Sequence, residues 1–172
     1  MKIAGLQTDS IVDGPGVRLS IYFQGCPHSC PGCHNPETHD YRGGREMSVK
    51  ELLELVDGAG PIDGVTISGG EPFEQAGPAA GLAAALTGRG LDLVLYSGYT
   101  FENLLEKSRV DSGTRTLLRS GSLLVDGPFI LSEQDYSLAY RGSRNQRLID
   151  LPRSLAGGRA VTWSSRQGSA CI

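Results

Sequence analysis

The sequence predicts an α/β fold built around a parallel sheet. Three observations predict it: short β-rich runs alternate with helix-patterned runs, capping and stop signals separate them, and every unusual motif directly follows a β-rich run. Residues 17–24 (VRLSIYFQ) alternate in polarity and form a strand leading into Gly25-Cys26. Ser48, with Glu51 three residues later, is a capping box opening a helix along 49–56, and Gly58 is placed to stop it. Residues 65–68 form a buried strand that runs into Gly69-Gly70-Glu71-Pro72. An Ala-rich helix follows to about residue 88, then a strand over 91–96, helices over 101–109 and 114–120, and a strand over 123–125 ending at Asp126-Gly127. This alternation requires crossover connections, and parallel α/β folds gather their binding groups at the carboxyl ends of the strands. Cys26, Gly69-Gly70-Glu71, Ser97-Gly98-Tyr99 and Asp126-Gly127 are therefore expected to meet at one mouth.

The chain has 172 residues, 39% hydrophobic and 20% charged, enough for one packed domain and too apolar for wholesale disorder. It is read as one domain over 1–172, with a core of about 11–150 and a C-terminal extension over 151–172. Within that extension 160–163 (AVTW) has the pattern of a last strand. The longest apolar runs fall far short of the ~18–20 residues of a membrane helix, and nothing has the form of a signal peptide. A soluble, cytoplasmic protein without a membrane partner is expected. Aromatics are only 6% and the net charge is −3, which argues against a nucleic-acid partner. Charge is uneven: residues 1–139 balance at −8, whereas 140–172 balance at +5, with six Arg against Asp150. That end is either a solvated basic face or a docking face for something acidic.

Three of the four cysteines, Cys26, Cys30 and Cys33, fall within eight residues, an arrangement unlike a secreted disulfide framework. Cys171, one residue from the end, is read as incidental. The spacing C-x3-C-x2-C in a Gly/Pro-rich loop suits three corners of an iron–sulfur cube, leaving one iron open to a small molecule, where ordinary [4Fe–4S] sites use four cysteines. A structural zinc site of Cys3His type, with His28 or His34 as fourth ligand, and unligated thiols are the competing readings.

The triplet together with Gly69-Gly70-Glu71 resembles the radical S-adenosylmethionine (SAM) superfamily. The resemblance extends to the activating proteins of anaerobic (class III) ribonucleotide reductase. Asp13-Gly14-Pro15-Gly16, Gly25-Cys26, Cys30-Pro31-Gly32-Cys33, Ser68-Gly69-Gly70-Glu71-Pro72, Gly98-Tyr99-Thr100, Leu124-Val125-Asp126-Gly127 and Arg141-Gly142-Ser143-x-Asn145-Gln146 recur there in this order. Those proteins often carry Tyr after the third cysteine, where this chain has His34.

The resemblance implies a parallel-sheet partial (β/α) barrel of radical SAM type. It implies a [4Fe–4S] cluster on Cys26, Cys30 and Cys33, with S-adenosyl-L-methionine on the open iron. Gly32, Cys33 and His34 would lie along the adenosyl part, Gly69 and Gly70 would let the ligand approach the backbone, and Glu71 would accept from the methionyl ammonium. No catalytic residue is implied beyond the cluster and SAM. Asp126 is either a mouth-lining acceptor or a helix cap, Tyr99 is a packing residue, and Arg141, Arg144, Asn145 and Gln146 bind a ligand carboxylate, bind a partner, or form an exposed face. The implied activity is reductive cleavage of SAM to set a glycyl radical on a large partner enzyme, with an electron donor such as flavodoxin or ferredoxin. Two other functions stand beside it: a radical SAM enzyme acting on a free metabolite, in the manner of 7-carboxy-7-deazaguanine synthase, and a zinc-stabilised interaction module.

Overall fold

The computed structural model describes residues 1–164; Cys171 and Arg166 lie outside them. It contains one seven-stranded sheet. The strands are β1 (Lys2–Ser10), β2 (Arg18–Phe23), β3 (Arg45–Glu46), β4 (Gly64–Gly69), β5 (Asp92–Ser97), β6 (Leu123–Asp126) and β7 (Arg147–Asp150), in the order β3-β1-β2-β4-β5-β6-β7. The four central strands, β2, β4, β5 and β6, are parallel. Both edges depart from the all-parallel expectation, because β1 and β3 on one side and β7 on the other pair antiparallel.

The α-helices among the described residues are α1 (Val49–Gly58), α2 (Ala76–Thr87), α3 (Phe101–Val110), α4 (Ser112–Ser120) and α5 (Leu151–Gly157). The capping box forms as the sequence predicts: Ser48 accepts from Glu51 N while Glu51 reaches back to Ser48 N. Asp111 is the only residue between α3 and α4, and its carboxylate caps α4 by accepting from Gly113 N and Thr114 N. None of these helices is long and apolar enough to cross a membrane.

The two faces of the sheet differ sharply. Leu19, Ile21 and Phe23 of β2, Val65 and Ile67 of β4, Leu93 and Leu95 of β5 and Leu124 of β6 pack with helix residues such as Leu52, Leu82, Leu104 and Leu118 in one core. The alternate residues point the other way. They include Arg18, Ser20 and Tyr22 of β2, Thr66 and Ser68 of β4, and Tyr96 of β5. Arg18 is 1% exposed at the amino end of the sheet, where its guanidinium donates to Thr66 Oγ1, Pro15 O, Val65 O and Asp92 O and pairs with Asp92 at 3.1 Å. Burial pushes its pKa down, and Asp92 opposes that.

The described residues after Asp150 form a short helix and a strip beside β7. Asp150 caps α5 through Arg153 N, Pro152 sits in the first turn, and Gly158 closes the helix in the left-handed region (φ 63°). Residues 160–163 run beside β7 through Asp150 N to Val161 O (2.9 Å) and Trp163 N to Leu148 O (2.8 Å), with a single bridge at Thr162 rather than a full strand.

Candidate functional site

The cysteine loop leaves β2 and is tied back at several points. Gln24 is buried and donates through its side chain to Glu37 O (3.0 Å) and Asp40 O (2.7 Å). Gly25 N donates to Thr38 O and Cys26 N to His39 O, so both sides of the loop are anchored. Cys26, Cys30 and Cys33 are half-buried free thiols lining one recess of about 120 Å³ with Gly69, Gly70 and Gly98. Burial pushes the Cys26 and Cys33 thiols up; against it, Asn35 N donates to Cys33 Sγ (3.4 Å).

These donors fit a cube better than a single ion. A zinc ion requires all its ligands within about 2.3 Å of one point. Among the described residues, no group of three or more His, Cys, Asp or Glu side chains is drawn together to hold one ion. Both candidate histidines are engaged elsewhere: His28 Nε2 lies 3.1 Å from Glu71 Oε2, and His34 packs on Phe129 with ring centroids 5.1 Å apart. Three sulfurs spread around a recess match a cluster, which offers a separate iron to each.

Beside the thiols, Glu71 is fully buried and both of its oxygens are occupied. Oε1 accepts from Phe73 N (3.0 Å) and Ser97 Oγ (3.0 Å); Oε2 accepts from Gly98 N (2.8 Å) and faces His28 Nε2. One carboxylate thus joins the ends of β4 and β5 to the cysteine loop. Its oxygens hold the mouth together.

The two glycines before it also serve the protein's own packing. Gly69 has φ +100°, and a Cβ there would lie 2.5 Å from Phe23 N; at Gly70 it would lie 2.4 Å from Gly25 O. The missing side chains therefore let β2 and the cysteine loop close against the turn, while both residues still border the recess. At Gly98 a Cβ would lie 2.3 Å from the His28 ring. Gly98→Ala is accordingly expected to push that ring off Glu71 and to cost about 1–3 kcal/mol in chemical denaturation. The cost should shrink when His28 is also Ala, since the ring is what the methyl meets.

From the thiol recess the cavity continues along the polar face of the sheet. Cys33, Ser68, Tyr96 and Phe129 border both the recess and a space of about 260 Å³ that adds Asp13, Tyr22 and His34. Asp13, His34 and Tyr96 in turn border a cavity of about 500 Å³ reaching Ile11, Val12 and Tyr136. Asp13 Oδ2 accepts from Ser10 Oγ (2.7 Å), Ser20 Oγ (2.7 Å) and Tyr22 Oη (3.0 Å). Burial first, then Asp13, pushes the Tyr22 phenol up to about 12, so it stays protonated across the working range.

The remaining sequence candidates fall into place as supports. Asp126 is a cap rather than a mouth-lining acceptor: it is buried, accepts from Phe101 N at the start of α3 (2.6 Å), and takes both Nε (3.0 Å) and Nη2 (2.5 Å) of Arg147. Tyr99 packs edge-on to His28 at 4.5 Å and donates to Glu74 (2.9 Å). Gln146 accepts from Gly142 N and Ser143 N and donates to Gly127 O, and Asn145 donates to Pro128 O, so both amides serve the loop itself. Arg147 pairs with Asp126 and Glu102, and Arg144 with Asp135, so two arginines of the basic end dock on the chain's own acids. Gly32 lies against Leu131, outside the recess.

Sequence reasoning gave no role to Asp13, Ser20, Tyr22, Tyr96 or Phe129. Their signal was present in the strands: polar residues at alternate positions of buried β2, β4 and β5 mark a face that borders a cavity rather than a second layer of helices.

A sheet whose strand ends carry three free thiols beside a Gly-Gly-Glu turn defines an iron–sulfur protein of the single-cluster class, and residues 12–149 match the family model described as "4Fe-4S single cluster domain". The chain belongs to the family of anaerobic ribonucleoside-triphosphate reductase-activating proteins. It is 34% identical over 144 residues to the member from Vibrio cholerae, covering 79% of this chain and 89% of that protein. To the Escherichia coli member it is 31% identical, covering 79% and 90%. It is also 42% identical over 79 residues to the pyruvate formate-lyase-activating enzyme of Clostridium pasteurianum, covering 43% of this chain and 33% of that enzyme.

Proposed function

We propose that this chain is a radical SAM activating enzyme whose substrate is a glycine in a large partner, the anaerobic ribonucleotide reductase. The observation that carries the reading is the single recess onto which Cys26, Cys30, Cys33 and the Gly69-Gly70 turn all open. When bound there, a [4Fe–4S] cluster and SAM supply one-electron cleavage of the sulfonium and removal of a hydrogen atom from the partner's glycine Cα. The chain's own residues bind, position and shield. Cys26, Cys30 and Cys33 hold the cluster, and the backbone at Gly32–His34 and the Gly69-Gly70 turn flank the cosubstrate. Glu71 is a positioning residue, holding His28 of the cysteine loop and Gly98 through its bonds. Asp13, Tyr22 and Tyr96 line the way inward from the opening.

The four parallel central strands support the reading of a partial (β/α) barrel of radical SAM type, with the polar face as its interior, in a chain that works as one domain. Free thiols in such a site suit the reducing cytoplasm and a donor of the flavodoxin or ferredoxin kind. A protein substrate, rather than a free metabolite, is supported by the outer end of the cavity of about 500 Å³. Ile11, Val12 and Tyr136 line it while remaining 70%, 67% and 87% exposed, apolar surface of the sort a partner covers. The test is to mix the anaerobically reduced, cluster-loaded protein with SAM and the partner reductase. An organic-radical signal on the partner's glycine with release of 5′-deoxyadenosine is expected. Release of 5′-deoxyadenosine with no radical on the partner would point instead to a small-molecule substrate.

A further inference from the structure

The Arg141–Arg147 loop borders a second recess that the activation reading leaves unused. It measures about 300 Å³, and Arg141, Arg144, Arg147, Leu148, Thr162 and Trp163 line it, with no acidic side chain on its wall. The three arginines are not equivalent. Arg147 is held by Asp126 and Glu102, which keep its guanidinium above the ordinary value, and Arg144 Nε lies 3.5 Å from Asp135. Arg141 has no carboxylate partner among the described residues: Nη1 donates to Gln146 O (3.1 Å), and Nε is buried with no partner at all, alone among the buried side-chain nitrogens and oxygens described. The guanidinium thus keeps unused donor capacity, and charge-assisted bonds to an oxyanion are the strong ones.

The wall opposite in character is flat and apolar. Trp163 is half-buried, packs against the Val94, Leu123 and Val125 patch on the sheet, and is the only tryptophan of the chain. Guanidinium forks match phosphate geometry, an indole offers a stacking surface to a base, and about 300 Å³ lies at the small end of ligand pockets. We propose that this recess binds a nucleotide, its phosphate on Arg141 and Arg144 and its base against Trp163. A bare carboxylate would satisfy the arginine and leave the indole without a contact, so the two walls together select a phosphate carried on an aromatic body. The site is distinct from the thiol recess, although Gln146 borders both, and it stands whether or not a glycine is the substrate.

The sole tryptophan makes the test direct. Guanosine 5′-monophosphate is titrated into the full-length, cluster-loaded protein with SAM present to fill the adenosyl site, and Trp163 emission is followed. A saturable change is expected, weakened about tenfold or more by Arg141→Gln and less by Arg144→Gln, whose exposed side chain leaves the fold untouched. Thermal melts of both variants separate lost binding from lost folding. Inorganic phosphate should compete only at much higher concentration. No saturable change, equal affinity in well-folded Arg141→Gln and Arg144→Gln proteins, or phosphate binding as tightly as the nucleotide would overturn the assignment.

Discussion

Cys30→Ala is expected to abolish cluster assembly, and with it SAM cleavage, while leaving the fold nearly unchanged. Cys30 is a half-exposed residue in a loop whose position is set elsewhere, by Gln24 at its base and by the Gly25–Thr38 and Cys26–His39 backbone bonds. Removing one sulfur therefore disturbs little packing, and a stability change within about 0.5 kcal/mol is expected. Cluster binding has no such redundancy. Among the described residues, the free thiols are these three, so no further sulfur lines the recess to replace a lost ligand. Iron and acid-labile sulfide measured after anaerobic reconstitution should fall from near-equal amounts to almost none. Cys171→Ala, outside the described residues, should retain both. Equal iron and sulfide in the two variants would refute the ligand assignment.

The second large effect is expected at Glu71. Truncation to Ala leaves Phe73 N, Gly98 N and Ser97 Oγ without their acceptor at a position of 0% exposure, and it releases His28. Hydrogen bonds to a charged group contribute about 1.5–3 kcal/mol each, and the losses here are shared, so a loss of at least about 3 kcal/mol is expected. Glu71→Gln retains the shape but turns an amide N–H toward groups that already donate, so most of the loss should persist. Urea denaturation read at constant m-value measures both. The cysteine loop keeps its anchors at Gln24, so Glu71→Gln should still take up iron and sulfide while SAM cleavage falls. A cost below about 1 kcal/mol would show that the carboxylate is not what joins β4, β5 and the loop.

What the sequence made legible was whatever local chemistry fixes. The capping box at Ser48, the central parallel strands and the compact cysteine spacing are all written within a few residues. The edges were harder to read. β1 carries Ile3 and Leu6 in its first half but only polar residues from Gln7 on, so its backbone pairing with β2 and β3 orders much of it. The stop at Gly158 and the Asp150-x-Pro152 start of α5 were present as signals, but the six arginines of the last segment masked them as a charged end. The site shows the same division. The thiols and the Gly-Gly-Glu turn could be found by spacing, whereas the reason for the glycines could not, since it lies in the approach of Gly25 and Phe23, more than 40 residues away in the chain. Asp126 was undecided for a related reason: only the fold brings Arg147 and Phe101 to it.

The most direct measurement is the low-temperature EPR spectrum of the reduced, reconstituted protein before and after SAM is added. Three cysteine ligands leave one iron for the cosubstrate, so the cluster signal is expected to shift on addition. An unchanged signal, from a centre shown to have four protein ligands, would contradict it.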